Sequence, residues 1–260
     1  MNKLLSLCLI SLAYVCAFAQ KKETGFAAHN INAVLWYQHS SEAQACYLQT
    51  FNYAIERLRA LAATGKKNMA IVSDLDETLI ANSFFYGKLI KENKAFSLEA
   101  WQAWEQQVNA GATPGAQNFL KVADSLGFTI FYLSNRYAKN TKYTLENIKK
   151  LNFPQADTSH MLLYTTTTNK EPRRQYIIAK GYNIEMFLGD NLNDFNQDFE
   201  KKMPEDRHKV VDEVKYSFGK NYFVFPNPMY GAWMDALHGY QHHLSEQEKA
   251  VIREQRIRAH

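Results

Sequence analysis

The sequence predicts an α/β fold: a parallel sheet flanked by helices, with a smaller helical unit beside it. Three observations lead there. Short apolar runs, each stopping abruptly at polar residues, alternate with helix-like stretches from Met69 to Phe225. That alternation is what a buried parallel sheet with crossover helices requires. Two further helix-like stretches, one before Met69 and one from Asp235 onward, fall outside the alternation. Finally, 260 residues at 46% hydrophobic, with only 11 Gly and 6 Pro, exclude a disordered tail, a collagen-like repeat or a disulfide-built miniprotein, and leave enough chain for a sizeable core.

Met1–Gln20 reads as a secretory signal, with Lys3 as the positive start, Leu4–Val15 apolar, and Ala17-Phe18-Ala19 as a small-x-small cleavage site. The apolar run is short of the roughly 20 residues that span a membrane, and no later run reaches that length without charge. Export to the periplasm or medium as a soluble protein is therefore expected. Lipidation would require cleavage before Cys16, where Val15 stands in place of a small residue, so cleavage after Ala19 is favoured over an outer-membrane anchor. Cys8 and Cys16 then leave with residues 1–19, and Cys46 alone cannot form an intramolecular disulfide. Beside Ala45 and Tyr47 in a helical stretch, Cys46 is expected to be a buried small hydrophobe.

From Asn30 to Ala63, apolar residues recur at mixed three- and four-residue steps (Leu35, Ala43, Tyr47, Phe51, Ile55, Leu58, Leu61), a helical period closed by Gly65-Lys66-Lys67. Met69–Val72 is the first strand and delivers Ser73-Asp74 at its end. Phe84–Ala112 is an insertion carrying a helix with Trp101 and Trp104. Helix Pro114–Leu126, ended by Gly127, precedes strand Phe128–Leu133, which runs into Ser134-Asn135-Arg136. Helix Lys139–Lys150 and strand Met161–Tyr164 follow, then helix Pro172–Lys180, strand Ile184–Leu188 and a last strand at Asn221–Phe225. Asp235–His260 is read as one charged helix. The resulting division is a signal segment 1–19, an N-terminal helical segment 20–66, an α/β core 67–232 with insertion 84–112, and a C-terminal helical segment 233–260.

The chemistry sits where strands stop. The first strand ends at Asp74-Leu75-Asp76-Glu77-Thr78, the second at Ser134-Asn135, and the fourth at Gly189-Asp190-Asn191-Leu192-Asn193-Asp194. Ligands of open α/β sheets bind beyond the carboxyl ends of the strands, so these residues should converge. Carboxylates about 4 Å apart repel by roughly 4 kcal/mol per pair at an effective dielectric near 20. A hard divalent cation relieves this, and an all-oxygen donor set favours Mg²⁺ over zinc. No matching His/Cys cluster exists, and His242-His243 is read as solvated surface. Beside a metal-held phosphate, Asp74 is the candidate nucleophile and Asp76 the candidate proton donor to the leaving oxygen. Ser134 and the amide of Asn135 can bond the phosphoryl oxygens, and Lys170, just ahead of Pro172, can neutralise developing charge.

These residues resemble the haloacid dehalogenase-like (HAD) superfamily of phosphotransferases. Asp74, Asp76 and Thr78 match its first motif, Ser134 the second, Lys170 the third, and Asp190 with Asp194 the fourth. The resemblance implies a HAD-like Rossmannoid core, with Mg²⁺ held by Asp74, the main-chain carbonyl of Asp76, and Asp190, and with Asp194 in support. It also implies a phosphate site at Thr78, Ser134, Asn135 and Lys170. An acid at Asp76 fits the superfamily's phosphatases, not its dehalogenases. The runs Ser73–Leu79 with Asn82-Ser83, Ala112–Ala116, Phe131–Arg136, Leu188–Phe195 and Pro226–Trp233, together with Leu35–Gln38 and Ser41-Glu42, are similar to class C acid phosphatases of the lipoprotein e type. That likeness implies an exported acid phosphatase acting on 5′-nucleotides and nicotinamide mononucleotide, with Trp101 and Tyr230 against the base.

Trp104 is read as core, and Phe84, Phe85 and Tyr86 are placed at the entrance without individual roles. The expected partner is a small phosphomonoester. A net charge of +4, from 30 Lys+Arg against 26 Asp+Glu, is too mild for a nucleic-acid polymer. A homodimer is compatible with the Trp/Tyr-rich flanks. Two rival readings are a broad sugar- or aryl-phosphate phosphatase and a surface binding protein such as a haem-uptake component. The second leaves the joint presence of Asp74, Asp76, Lys170 and Asp190 unexplained.

Overall fold

Strands form where the apolar runs stand. The computed structural model describes residues 28–259, so the expected signal segment 1–19, with Cys8 and Cys16, lies outside the described residues. The strands are β1 (Met69–Ser73), β2 (Ile80–Ala81), β3 (Gly111–Ala112), β4 (Thr129–Tyr137), β5 (Met161–Tyr164), β6 (Asn183–Gly189) and β7 (Tyr222–Val224). Five of them make one sheet in the order β5-β4-β1-β6-β7, every pair parallel. The chain moves outward from β1 to β4 and β5, then returns to β6 and β7 on the other side. Connections thus leave β1 and β6 in opposite directions, and a crevice opens at their carboxyl ends. All five residues of β1 are buried, as a central strand covered on both faces must be.

The helices are α1 (Ile31–His39), α2 (Ser41–Ala62), α3 (Ser83–Glu92), α4 (Leu98–Glu105), α5 (Ala116–Ser125), α6 (Thr141–Lys150), α7 (Glu171–Ala179), α8 (Pro204–Glu213), α9 (Ala232–Leu237) and α10 (Glu246–Arg256). The single N-terminal helix of the sequence reading is two. Ser40 is extended (ψ 135°), and its hydroxyl accepts the Ala43 amide at 2.9 Å, ending α1 and capping α2. The buried stripe of α2 runs through Ala43, Tyr47, Phe51, Ile55 and Leu58. Cys46 lies off that stripe and is an exposed free thiol, which corrects its reading as a buried residue.

The insertion is richer than its sequence suggests. Its ends are tied by an antiparallel pair, Ile80 opposite Ala112 and Ala81 opposite Gly111, and it carries α3 as well as the expected helix α4. Helix α8, unremarked in the sequence, starts at Pro204 with Glu205 and Asp206 in its first turn. The C-terminal helix is also two. The left-handed pair Gly239 (φ 61°) and Tyr240 (φ 58°) ends the first, and Ser245 starts the second through a capping box with Glu248. His242 and His243 are both exposed. At the head of α5, Gly115 has φ 92°, and a Cβ there would press on Phe51 at 3.1 Å, so this turn needs glycine. One apolar cluster takes in Val34 and Phe51 of the N-terminal helices, Ile71 and Ile130 of the sheet, and Phe85 and Trp104 of the insertion. Among the described residues no helix is long and apolar enough to cross a membrane.

Candidate active site

The loop after β1 is shaped by its own amides. Leu75 O accepts from Thr78, Leu79 and Ile80, and the Glu77 amide donates to Ile80 O at 2.7 Å. Glu77 takes the left-handed conformation (φ 54°) that closes this loop, at some conformational cost for a residue with a side chain. Asp74 continues the ladder, its amide donating to Leu188 O of β6 at 2.9 Å, so its carboxylate starts in the crevice between β1 and β6.

Four residues converge there. Lys170, the cap residue of α7 and only 4% exposed, donates to Asp74 and lies 2.7 Å from Asp194 Oδ1. Asp194 Oδ2 accepts the Asn191 amide at 3.0 Å, which folds the loop after β6 back on itself. Asp190 accepts from Asn227 Nδ2 at 2.7 Å. Carboxylate oxygens of Asp74, Asp190 and Asp194 lie within 4.8 Å of one another. Burial pushes the Asp74 carboxyl up to about 7 against the pull of Lys170, with Asp194 and Asp76 adding to the rise. Asp190 is held well above the carboxylate range by burial and by Asp194 and Asp74. Burial works against the charged Lys170, yet Asp194 and Asp74 outweigh it and raise its pKa. One ammonium cannot keep three carboxyl groups ionised at this spot, which is why the Asp74 and Asp190 carboxyls rise and why a further cation would be favoured here. The donors are all oxygens, so the residues fit a hard divalent cation.

Beside this cluster stands Asp76, gripped by Arg136 at 2.7 and 2.9 Å on Oδ1. Strand β4 runs four residues beyond the expected Leu133, so Ser134 and Arg136 lie on one face of its end and both turn to Asp76. Asn135 points the other way, is exposed, and accepts from Arg173 Nη2 at 2.6 Å. Asn82 completes the grip by donating to Asp76 Oδ1 at 2.9 Å. Its own oxygen takes the Trp104 indole N–H at 2.8 Å, so Trp104 is buried core with a polar task.

A cavity of about 620 Å³ is lined by Asp74, Asp76, Lys170 and Asp190 and also by the aromatic residues Tyr86, Phe96, Trp101 and Tyr230. Tyr86 and Tyr230 stack at 4.8 Å, and the Tyr230 hydroxyl donates to the fully buried Glu77 carboxylate. Burial, reinforced by Asp76, pushes that carboxyl up to about 8. Of the three entrance aromatics only Tyr86 lines this cavity; Phe85 is core and Phe84 is solvent-exposed. Thr78 does not join the other phosphate candidates. It is fully buried behind the loop, its carbonyl bonded to Thr113 and its hydroxyl without a partner among the described residues. The left-handed turn at Glu77 sends the chain away from the cavity before Thr78 is reached.

A family model described as HAD superfamily, subfamily IIIB (acid phosphatase), matches residues 16–233. The chain belongs to that family. Among solved structures, class C acid phosphatase from Bacillus anthracis superposes with a TM-score of 0.87 at 36% identity, covering 90% of this chain and 99% of that one. The same protein with tungstate bound gives 0.86. Among curated proteins, a stem 31 kDa glycoprotein of Glycine max is 26% identical over 74% of this chain and 69% of its own. Acid phosphatase 1 of Solanum lycopersicum is 25% identical over 61% of this chain and 57% of its own. This acid phosphatase is a phosphomonoesterase, and its HAD fold is the α/β arrangement the sequence implied.

Several residues that shape the site carried no role in the sequence reading, among them Glu77, Asn82, Arg136 and Arg173. For Arg136 a signal was present, because its spacing of two from Ser134 on a strand puts both on one face. Asn82 and Glu77 owe their places to the turn at φ 54°, which no short pattern encodes. Arg173 reaches Ser134 O and Asn135 from the first turn of α7, a tertiary contact.

Proposed function

We propose that this acid phosphatase is an exported, Mg²⁺-dependent enzyme that hydrolyses nucleoside 5′-monophosphates, nicotinamide mononucleotide and similar aromatic phosphomonoesters through an aspartyl-phosphate. Residues 67–232 would be its catalytic core with a helical insertion at 84–112, residues 20–66 and 233–260 its helical flanks, and residues 1–19 the signal that directs export. The observation that carries the reading is one cavity lined both by the carboxylate and lysine cluster and by the aromatic rings of Tyr86, Phe96, Trp101 and Tyr230. Phosphate fits the cluster and a flat base the rings, since aromatic side chains stack on any base. The tungstate of the Bacillus anthracis structure is a tetrahedral oxyanion like phosphate, which supports an oxyanion as ligand here.

In this reading Asp74, the Asp76 carbonyl and Asp190, with Asp194 in support, would hold Mg²⁺, which when bound would supply the positive charge that lets a phosphate dianion approach carboxylates. Asp74 attacks phosphorus from the carboxyl end of β1 while Asp76 gives its proton to the leaving oxygen, because an alkoxide is a poor leaving group at neutral pH. Asp76 then takes a proton from the water that cleaves the aspartyl-phosphate. Lys170, the Ser134 hydroxyl and the main-chain amide of Asn135 bond the phosphoryl oxygens, where charge grows in the transition state. The test is phosphate release from AMP, nicotinamide mononucleotide and a sugar phosphate at mildly acidic pH, with Mg²⁺ and then with EDTA. Metal-dependent release from the first two, well above the third, is expected. Equal release from all three would replace nucleotide preference with broad specificity.

A further inference from the structure

The two oxygens of Asp76 are held unequally. Oδ1 receives three short donors: Arg136 Nη2 at 2.7 Å, Arg136 Nε at 2.9 Å and Asn82 Nδ2 at 2.9 Å. Oδ2 receives only the longer contacts of Arg136 Nε at 3.1 Å and the Ser134 hydroxyl at 3.4 Å. A carboxylate oxygen with three donors has no lone pair left for a proton, so any proton Asp76 carries belongs on Oδ2.

Arg136 is suited to the task of a fixed clamp. It is 1% exposed, at the penultimate position of β4, with its amide donating to Ser134 Oγ at 3.1 Å. Glu105 stands 3.9 Å behind it, itself fixed by Asn140, so the guanidinium charge is balanced from the rear even while Asp76 is neutral. That second carboxylate matters: a buried cation whose only counter-charge came and went with each proton transfer would be left uncompensated at part of every cycle. The same guanidinium lies over the Trp101 ring, 5.9 Å from its centroid, and Trp101 lines the leaving-group end of the cavity. Its Nη1 has no partner among the described residues.

We propose that Arg136 is the positioning residue of the proton donor: it anchors Asp76 through Oδ1, aims Oδ2 at the leaving oxygen, and joins that carboxyl to the Trp101 ring beside the leaving group. The inference rests on the phosphatase reading above. In the first step the Asp74 oxygen bonds to phosphorus, the bond from phosphorus to the ester oxygen breaks, and the Oδ2 proton passes to that oxygen as the alcohol departs. In the second, water bonds to phosphorus, the Asp74 oxygen leaves, and the water proton returns to Oδ2, releasing inorganic phosphate. Arg136 exchanges no proton in either step.

The experiment compares two substrates on one preparation. AMP departs as an alkoxide and needs the proton, whereas p-nitrophenyl phosphate departs as a stable phenolate and hardly needs it. In Arg136→Met and Arg136→Lys proteins, kcat/KM for AMP is expected to fall about 100-fold or more, the scale of a lost proton donor. For p-nitrophenyl phosphate it is expected to fall less than about tenfold. The ratio of the two is independent of how much of a variant has folded, because both are read on the same sample. Equal losses on both substrates, or a Lys variant with the wild-type ratio, would overturn the positioning role. Wild-type protein inactive on both would instead sink the phosphatase reading, so the two failures are distinguishable.

Discussion

Asp194 leaves no room for a side chain on Gly189. A Cβ built at that glycine would collide with the Cβ, Cγ and Oδ2 atoms of the aspartate, although the backbone there is unstrained. The contact exists because the loop after β6 doubles back, with the Asn191 amide on Asp194 Oδ2 and Lys170 on Oδ1. The glycine is needed for space. Gly189→Ala should therefore push Asp194 off Lys170 and loosen the floor of the cavity. Overpacking of this kind costs about 1–3 kcal/mol, and misplacing a catalytic array by about 1 Å can cost about 100-fold in rate. Thermal melts and phosphatase assays together check this. Wild-type activity in the alanine protein would show that Asp194 is not needed where it stands.

Asp74→Asn should abolish turnover and leave the fold intact, since Asn keeps the shape and offers no nucleophilic oxygen. Asp76→Asn should lower kcat/KM on AMP by about 10²- to 10⁴-fold, the range of general acid catalysis. Circular dichroism with the assay separates loss of chemistry from loss of structure. Retained activity in either protein removes that residue from its role.

The sheet was readable in the sequence because each strand is a short apolar run that stops at a polar residue. Met69–Val72 into Ser73-Asp74 and Ile184–Leu188 into Gly189-Asp190 announce both the strand and the edge that carries chemistry. What escaped was set by tertiary contact or by single backbone angles. Helix α3 begins at Ser83 inside a segment rich in aromatic residues, where core and entrance side chains share one pattern. Arg136 sits in a polar run that reads as a loop, yet β4 extends through it because Ser134 and Arg136 bury against Asp76. Thr78 matched a motif but the φ of 54° at Glu77 turns it into the interior.

Protons and metal should compete for the floor of the cavity. Burial lifts Asp74 to about 7 and Asp190 well above its ordinary range, and it lifts Glu77 to about 8. An unfolded chain releases those protons near pH 4. Between about pH 4 and pH 8 the metal-free native state thus binds more protons than the unfolded state, so its stability should fall as pH rises through that window. A bound cation would displace the protons of Asp74 and Asp190, so its stabilising effect should grow with pH. The check is a series of thermal melts from pH 5 to pH 8 with and without Mg²⁺. The shift caused by Mg²⁺ should be larger at pH 8 than at pH 5. The opposite order would mean that these carboxylates are already ionised in the metal-free protein.

Trp101 offers the sharpest test of the leaving-group end. Its ring lines the cavity and meets the Arg136 guanidinium, Phe85 at a near-perpendicular angle and Phe96 at a tilt, so it is partly packed and partly open to ligand. Tyr230 is less clean, because its hydroxyl also holds Glu77 and a change there disturbs the catalytic loop. Trp101→Leu keeps the packing apolar and removes the stacking face. Base stacking on an aromatic ring contributes about 1–3 kcal/mol, which corresponds to an increase in KM for AMP of about 5- to 150-fold. A sugar phosphate has no ring to stack, so its KM should change by less than about twofold. Equal weakening of both substrates would mean that Trp101 acts through Arg136 and the loop it supports, and that the base binds elsewhere along the cavity.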